Sequence, residues 1–273
     1  MKVFPQRAGL AGIFCALLLQ IPLSWADAGL DAALGGAQRS AVNRARDTYR
    51  HPLETLTFFG LRPDMTVVEI MPGGGWYTEI LAPWLRDKGK LYAAHFPADS
   101  TADYPKKAIA AFTNKLAAEP ALYDRVVVTP FLPPSVVDIA PPASADAVIT
   151  FRNVHNWLKD NGEVAVFKAA YAALKPGGVF GVVDHRAKPG TTREQSLDSG
   201  YTTEQLVIDG ATAAGFVFEE KSDINANPRD TKDYPKGVWT LPPTLVEGDK
   251  DKEKLLAIGE SDRMTLRFRK PAK

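Results

Sequence analysis

The stretch Thr66-Val67-Val68-Glu69-Ile70-Met71-Pro72-Gly73-Gly74-Gly75-Trp76-Tyr77-Thr78-Glu79-Ile80-Leu81 decides the fold. Its first six residues are apolar and largely β-branched around one acid, the composition of a short buried strand. Pro72 and three glycines interrupt that run, and Trp76 to Leu81 reads as a helix. Strand, glycine turn and helix open a parallel α/β unit. Gly73, Gly74 and Gly75 let the backbone turn sharply and approach a ligand with no β-carbon in the way, while the next helix presents free N–H groups. In an open parallel sheet such a turn lies beyond the carboxyl end of its strand, where ligands bind. Glu69, near the end of the strand, is placed to accept hydrogen bonds from an amine or hydroxyl.

The same alternation continues outward. Upstream, Asp47 is placed to cap a helix carrying Tyr49, Leu53, Leu56 and Phe59 and stopped by Gly60. Downstream, the patterns predict strands over 90–94, 125–129, 146–151 and 179–183, and helices over 104–118, 162–174 and 202–215. Segments 216–221 and 264–269 alternate apolar with polar residues, as an antiparallel pair at a sheet end does. Seven strands alternating with helices predict an α/β, doubly wound, mostly parallel sheet with a closing antiparallel pair, in one domain over 47–273. Residues 27–46, rich in small residues, read as a weakly ordered lead-in, and the charged run 247–254 as a solvated loop.

Composition narrows the class. With 45% apolar, 24% charged and 10% aromatic residues in 273, the chain is globular rather than collagen-like, coiled-coil or disordered. Lys and Arg number 33 against 32 Asp and Glu, a balance that offers no surface for a nucleic acid. Lys2 and Arg7 precede a largely apolar Ala8–Leu23, and Ser24-Trp25-Ala26 supplies small residues where a signal peptidase reads. Residues 1–26 therefore read as a secretory signal peptide, its apolar run being shorter than the roughly 20 residues of a spanning helix. Its removal takes the formal charge from +1 to −1 and takes away Cys15, the single cysteine. The expectation is a periplasmic or secreted protein with no stable membrane anchor, held together by its core rather than by disulfides.

Glu69-Ile-Met-Pro-Gly73-Gly-Gly75, Asp146 at the opening of the fourth strand, and Leu174-Lys-Pro-Gly177-Gly178 before the fifth resemble the class I S-adenosylmethionine-dependent methyltransferases. The resemblance spans roughly residues 48–270. Arg50-His51-Pro52 together with Met71-Pro-Gly-Gly-Gly-Trp76-Tyr77-Thr78 is similar to a subgroup of exported methyltransferases. It implies a Rossmann-like methyltransferase sheet of strand order 3-2-1-4-5-7-6, S-adenosylmethionine as cofactor, and Glu69, Gly73, Gly74 and Gly75 in contact with it. Members usually place an acid at the tip of the second strand to hold the ribose; here that position is His95. Met71 stands where the first glycine of the motif commonly lies, and Pro130 to Pro134 carries no acid for the adenine amine.

Three of the four histidines, His95, His155 and His185, follow predicted strand ends. In the implied order the second and fifth strands lie about 14 Å apart at roughly 4.8 Å per strand. Zinc needs its ligands at about 2.0–2.1 Å, so a three-histidine metal site is not expected. His155 and His185, on adjacent strands, can meet. Methyl transfer is an in-line displacement that needs a positioned and often deprotonated acceptor, and His185 or His155 is the candidate base. Arg152 and Arg186 are candidates to clamp an anionic acceptor. Tyr171 and Lys175 have the spacing of a short-chain dehydrogenase pair, but Pro176-Gly177-Gly178 ends the helix where that chemistry needs it to continue. The sequence thus points to methyl transfer onto a small-molecule acceptor, with a non-catalytic exported binding protein of the same fold as the alternative.

Overall fold

The computed structural model describes Met1 and residues 27–272; the segment read as a signal peptide, Cys15 included, otherwise lies outside the described residues. Eight strands form one sheet: β1 (Thr66–Ile70), β2 (Lys90–His95), β3 (Val127–Leu132), β4 (Val136–Val137), β5 (Ala145–Phe151), β6 (Leu174–His185), β7 (Val217–Ser222) and β8 (Arg263–Arg269). Their order is β4-β3-β2-β1-β5-β6-β8-β7. The seven expected strands are all present in the expected order. The eighth, β4, is a two-residue antiparallel partner of β3 (Phe131↔Val137, Leu132↔Val136), too short to show any period in sequence. β3 runs through Pro130 to Leu132, two residues on from the expected start, because a proline is tolerated where one side of a strand is nearly unpaired.

The strands alternate sides as an extended chain must. From β1, Val68 and Ile70 enter the apolar layer that contains Val166, Phe167 and Ala170 of the helix Gly162–Ala173 and Val207 and Ala211 of the helix Glu204–Ala213. Val67 enters the opposite layer, with Leu56 and Phe59 and with Ile80, Leu81 and Trp84. β5 and β6 divide likewise, Val148, Phe180 and Val182 to the first layer and Ile149, Phe151 and Val183 to the second. Helices on both faces make the sheet doubly wound. Gly181 in β6 is required by close packing: a β-carbon there would sit 2.8 Å from the Phe59 ring.

Three expectations change. The helix expected from Asp47 to Phe59 is two short helices, Asp47–Arg50 and Pro52–Phe58, broken at His51 with φ +40°. Pro52 disfavours the right-handed α conformation in the residue before it and starts the second helix instead. The lead-in 27–46 is ordered: Asp27–Gly35 is a helix, Leu30 and Ala33 are buried in the layer that holds Trp84, and Arg39 is fully buried in a bidentate pair with Asp47 at 2.6 and 2.7 Å. Within 247–254 a helix, Lys252–Ile258, begins and buries Leu255 against the body, although the charged residues stay largely exposed. Among the described residues, no helix is long and apolar enough to cross a membrane.

Candidate active site

The chain reverses across β1: it leaves to one side through β2 and β3 and returns on the other as β5. The crevice at the carboxyl ends of β1 and β5 is therefore the binding position that the topology itself creates. The residues that follow these two strands, Met71 (φ +53°) and Arg152 (φ +61°), are both left-handed although neither is glycine. Such conformations are costly and collect at functional sites. Asn153 supports the pair by donating from Nδ2 to the Ile70 oxygen (3.1 Å), the Met71 oxygen (3.3 Å) and Thr150 Oγ1 (3.0 Å). A left-handed Met71 meets the backbone need that the family commonly fills with glycine.

The glycine turn is held by its carbonyls. His95, at the tip of β2, accepts from the Phe96 N–H at Nδ1 (2.8 Å), so its proton is on Nε2, which faces the Gly73 oxygen at 3.2 Å. The ring is buried and stacks on Phe112 at 4.9 Å, and burial lowers its pKa against the raising effect of the Gly73 bond. Both nitrogens are thus committed, and neither is left for a ribose hydroxyl; His95 is a pin for the turn. Lys115 donates to the Gly74 oxygen at 3.1 Å and also pairs with the buried Glu79. β-Carbons built at Gly73 and Gly74 would meet nothing within 4 Å, so the turn presents bare backbone to open space that a ligand can fill. Gly75 differs: at φ +82° its β-carbon would approach Phe112 at 3.3 Å and Thr78 at 3.5 Å, so glycine there serves the fold. Glu69 is buried and accepts from Thr78 Oγ1 at 2.7 Å. Burial raises its pKa to about 7, against the lowering effects of Thr78 and Lys115.

Across the cavity, His155 and His185 do meet, with ring centroids 5.0 Å apart. Asp184, the penultimate residue of β6 and fully buried, takes the His155 main-chain N–H at Oδ2 and its ring Nδ1 at Oδ1, both at 2.9 Å. A carboxylate can only accept, so Nδ1 carries the proton and Nε2 is the basic nitrogen of His155. His185 Nδ1 lies 2.5 Å from Ser261 Oγ. Burial, then His155, Arg152, Arg263 and Arg50, push the His185 pKa well below its ordinary value, so it is neutral near pH 7. Donor atoms of His155, Asp184 and His185 lie within 4.8 Å of one another, close enough to gather around a cation. The surrounding guanidinium groups oppose a divalent ion there, and Asp184 is already committed to His155.

Arginine supply differs from expectation. Arg152 lines the cavity, and burial pushes its pKa down to about 10. Arg186 points away and is spent on Asp262, Asp223 and Glu204. In its place Arg46 and Arg50, from the segment before β1, reach the cavity wall. Arg50 is 2% exposed, lies 4.6 Å over the Trp76 ring, and meets Glu260 at 3.3 Å. Glu260 also binds Arg46 (2.6 Å) and Arg263 (3.2 Å). Burial would raise its pKa, but Arg263, Arg50 and Arg46 outweigh that and hold it at about 2. Glu260, Ser261, Asp262 and Arg263 are all at most 4% exposed. Four consecutive polar residues leading into an apolar strand were the available sequence signal for this wall. It reaches the site because β8 is antiparallel to β6 (His185↔Arg263), so its beginning lies at the carboxyl rim.

These residues enclose a cavity of about 420 Å³ between the glycine turn, the His155–Asp184 pair and the arginines. A second cavity of about 370 Å³, walled by His95, Phe96, Leu132, Pro133 and Trp157, shares Met71, Gly73, Asn153 and Asn156 with the first. Solved structures share this architecture. A SAM-dependent methyltransferase from Aquifex aeolicus aligns with a TM-score of 0.56 at 15% identity, over 83% of this chain and 93% of its own. Geranyl diphosphate methyltransferase in complex with SAM aligns with 0.55 at 15% identity, over 88% and 94%. The cyclase SpnF aligns with 0.56 at 16% identity, over 88% and 86%. No family model matches the chain, and no curated protein matches it. The fold is that of the class I SAM-dependent methyltransferases. A cyclase among the similar structures shows that the fold alone does not fix the chemistry, which has to be argued from the site.

Proposed function

We propose that the chain is an S-adenosylmethionine-dependent methyltransferase acting on a small-molecule acceptor, exported to the periplasm or secreted. The observation that carries this reading is the Asp184-held His155 lining the same cavity as the open backbone of Gly73 and Gly74. The residues fit the cofactor. Gly73 and Gly74 leave room for its amino-acid end, Glu69 lies on the same wall to receive an ammonium group, and the second cavity offers flat apolar walls to an adenosine. When bound, S-adenosylmethionine supplies a methyl group on a sulfonium, open to in-line displacement. His155 Nε2 takes the proton that the acceptor gives up as it is methylated. Asp184 keeps the imidazole in the tautomer that allows this and balances the positive charge it acquires. Neutral His185 occupies the adjacent space without competing for that proton.

Export is supported by Lys2, Arg7, the apolar 8–23 and Ser24-Trp25-Ala26. Intact mass of the protein recovered from its source should begin at Asp27, and retention of residues 1–26 in a cytoplasmic fraction would refute export. The function is tested by calorimetric titration of the chain from Asp27 onward with S-adenosylhomocysteine. Saturable binding is expected. No heat and no thermal stabilisation at millimolar ligand would remove the methyltransferase reading.

A further inference from the structure

The cavity holds more positive charge than a methyl donor requires. Three guanidinium groups line it, those of Arg46, Arg50 and Arg152. Among the described residues, Glu260 is the one carboxylate that pairs with them, and it is already shared with Arg263. Nη2 of Arg46 and Nη2 of Arg50 are buried with no hydrogen-bond partner. The Arg152 main-chain N–H donates to the Val183 oxygen at 2.7 Å, but its side chain makes no hydrogen bond or ion pair with any described residue, and the protein holds it in a left-handed backbone on the cavity wall. Buried guanidinium donors left unmatched are costly in the free protein, because they have given up water without gaining a partner. A ligand that supplies oxygen acceptors removes that cost. A bound S-adenosylmethionine would bring one carboxylate, which would match at most part of these donors and leave the remainder for a second anion.

We propose that the methyl acceptor carries an anionic oxygen group, a carboxylate or phosphate, seated against Arg152 and Arg50 on the His155 side of the cavity. This rests on the methyltransferase reading for the word acceptor, and on the unmatched guanidinium groups for the anion. Anchoring the anion there places the rest of the acceptor between the arginines and Nε2 of His155, the base that needs it. Arg186, spent on three acids, takes no part.

The test titrates the chain from Asp27 onward with inorganic phosphate and with benzoate at constant ionic strength, by calorimetry and thermal shift, with and without saturating S-adenosylhomocysteine. Saturable anion binding is expected, and it should persist when S-adenosylhomocysteine is present. Arg152→Gln should weaken it by about 10- to 100-fold, the loss of a charge-assisted contact. Arg152→Lys, which keeps the charge, should recover part of that, and the melting temperature of each variant establishes that it is folded. Equal anion affinity in wild type and a folded Arg152→Gln would overturn the proposal. So would anion binding abolished by S-adenosylhomocysteine, since the arginines would then serve the cofactor's carboxylate alone. Silence toward S-adenosylhomocysteine with anion binding intact would instead remove the methyltransferase reading and leave the anion site standing.

Discussion

Asp184 takes two hydrogen bonds from one residue, His155, at Oδ2 from the main-chain N–H and at Oδ1 from ring Nδ1, both 2.9 Å long. The first bond anchors the backbone in the first turn of the four-residue helix Val154–Trp157, and the second fixes which ring nitrogen is basic. Strand β6 thereby orients a side chain that belongs to the short helix after β5.

That tautomer is directly observable. Long-range nitrogen–proton NMR should show His155 protonated on Nδ1 and His95 on Nε2 near pH 7. With any acceptor that turns over, His155→Gln should lower kcat by about 10²- to 10⁴-fold, the range for loss of a general base. A fall confined to KM would contradict the assigned role.

The glycines separate binding from folding. Gly74→Val places its side chain in open space with no positive φ to accommodate, so S-adenosylhomocysteine binding should be lost while the melting temperature holds. Gly75→Val should melt several degrees lower, because a left-handed non-glycine residue costs about 1–2 kcal/mol and its β-carbon meets Phe112. Equal melting of the two variants would contradict this division.

His95→Asp should weaken S-adenosylhomocysteine binding rather than restore a ribose acceptor. A carboxylate still accepts the Phe96 N–H but cannot donate to the Gly73 oxygen, which then faces a negative charge. A tightened dissociation constant in calorimetry would show that the ring swings free in solution.

Glu69 destabilises the fold as pH rises. Its carboxyl titrates at about 7 in the folded chain and at 4.5 unfolded, so the folded state binds the extra proton between those values. Stability from this group is complete below pH 4.5 and declines as pH rises through about 7. Glu69→Gln keeps the acceptor for Thr78 without the charge. It should be the more stable chain at pH 8, by on the order of 3 kcal/mol at 1.36 per pH unit, and nearly equal to wild type at pH 4. Urea unfolding at the two pH values checks this.

His185 has the opposite sign. Its folded pKa is depressed, so its contribution is complete above about pH 6.5 and is lost as pH falls below that value. His185→Asn should therefore lose less stability than wild type between pH 7 and pH 5. Parallel urea curves for the two chains across that interval would contradict a neutral His185.

Much of this was legible along the chain. The strand Thr66–Ile70, its glycine turn and the alternation of apolar runs after it are local patterns, and local periods report which faces are buried. Strand adjacency was enough to bring His155 to His185. The break at His51 is also written locally, in Pro52, although the apolar spacing of Tyr49, Leu53, Leu56 and Phe59 suits one longer helix.

The arginine wall was not legible, because nothing in the spacing of Arg46, Arg50 and Glu260 relates residues more than 200 positions apart. They meet because β8 runs antiparallel to β6 and returns its first residues to the carboxyl rim, where the helix Asp47–Arg50 and its preceding residue Arg46 also lie. His95 shows the same limit at atomic scale. Its place at the tip of β2 follows from sequence, but its role depends on two hydrogen bonds that exist only once the Gly73 carbonyl and the Phe96 N–H are set around the ring. Local pattern chooses elements and faces, since it acts through each residue's own backbone and burial. Which polar atoms are already satisfied, and which remain for a ligand, depends on distances between segments that only the packed chain brings together.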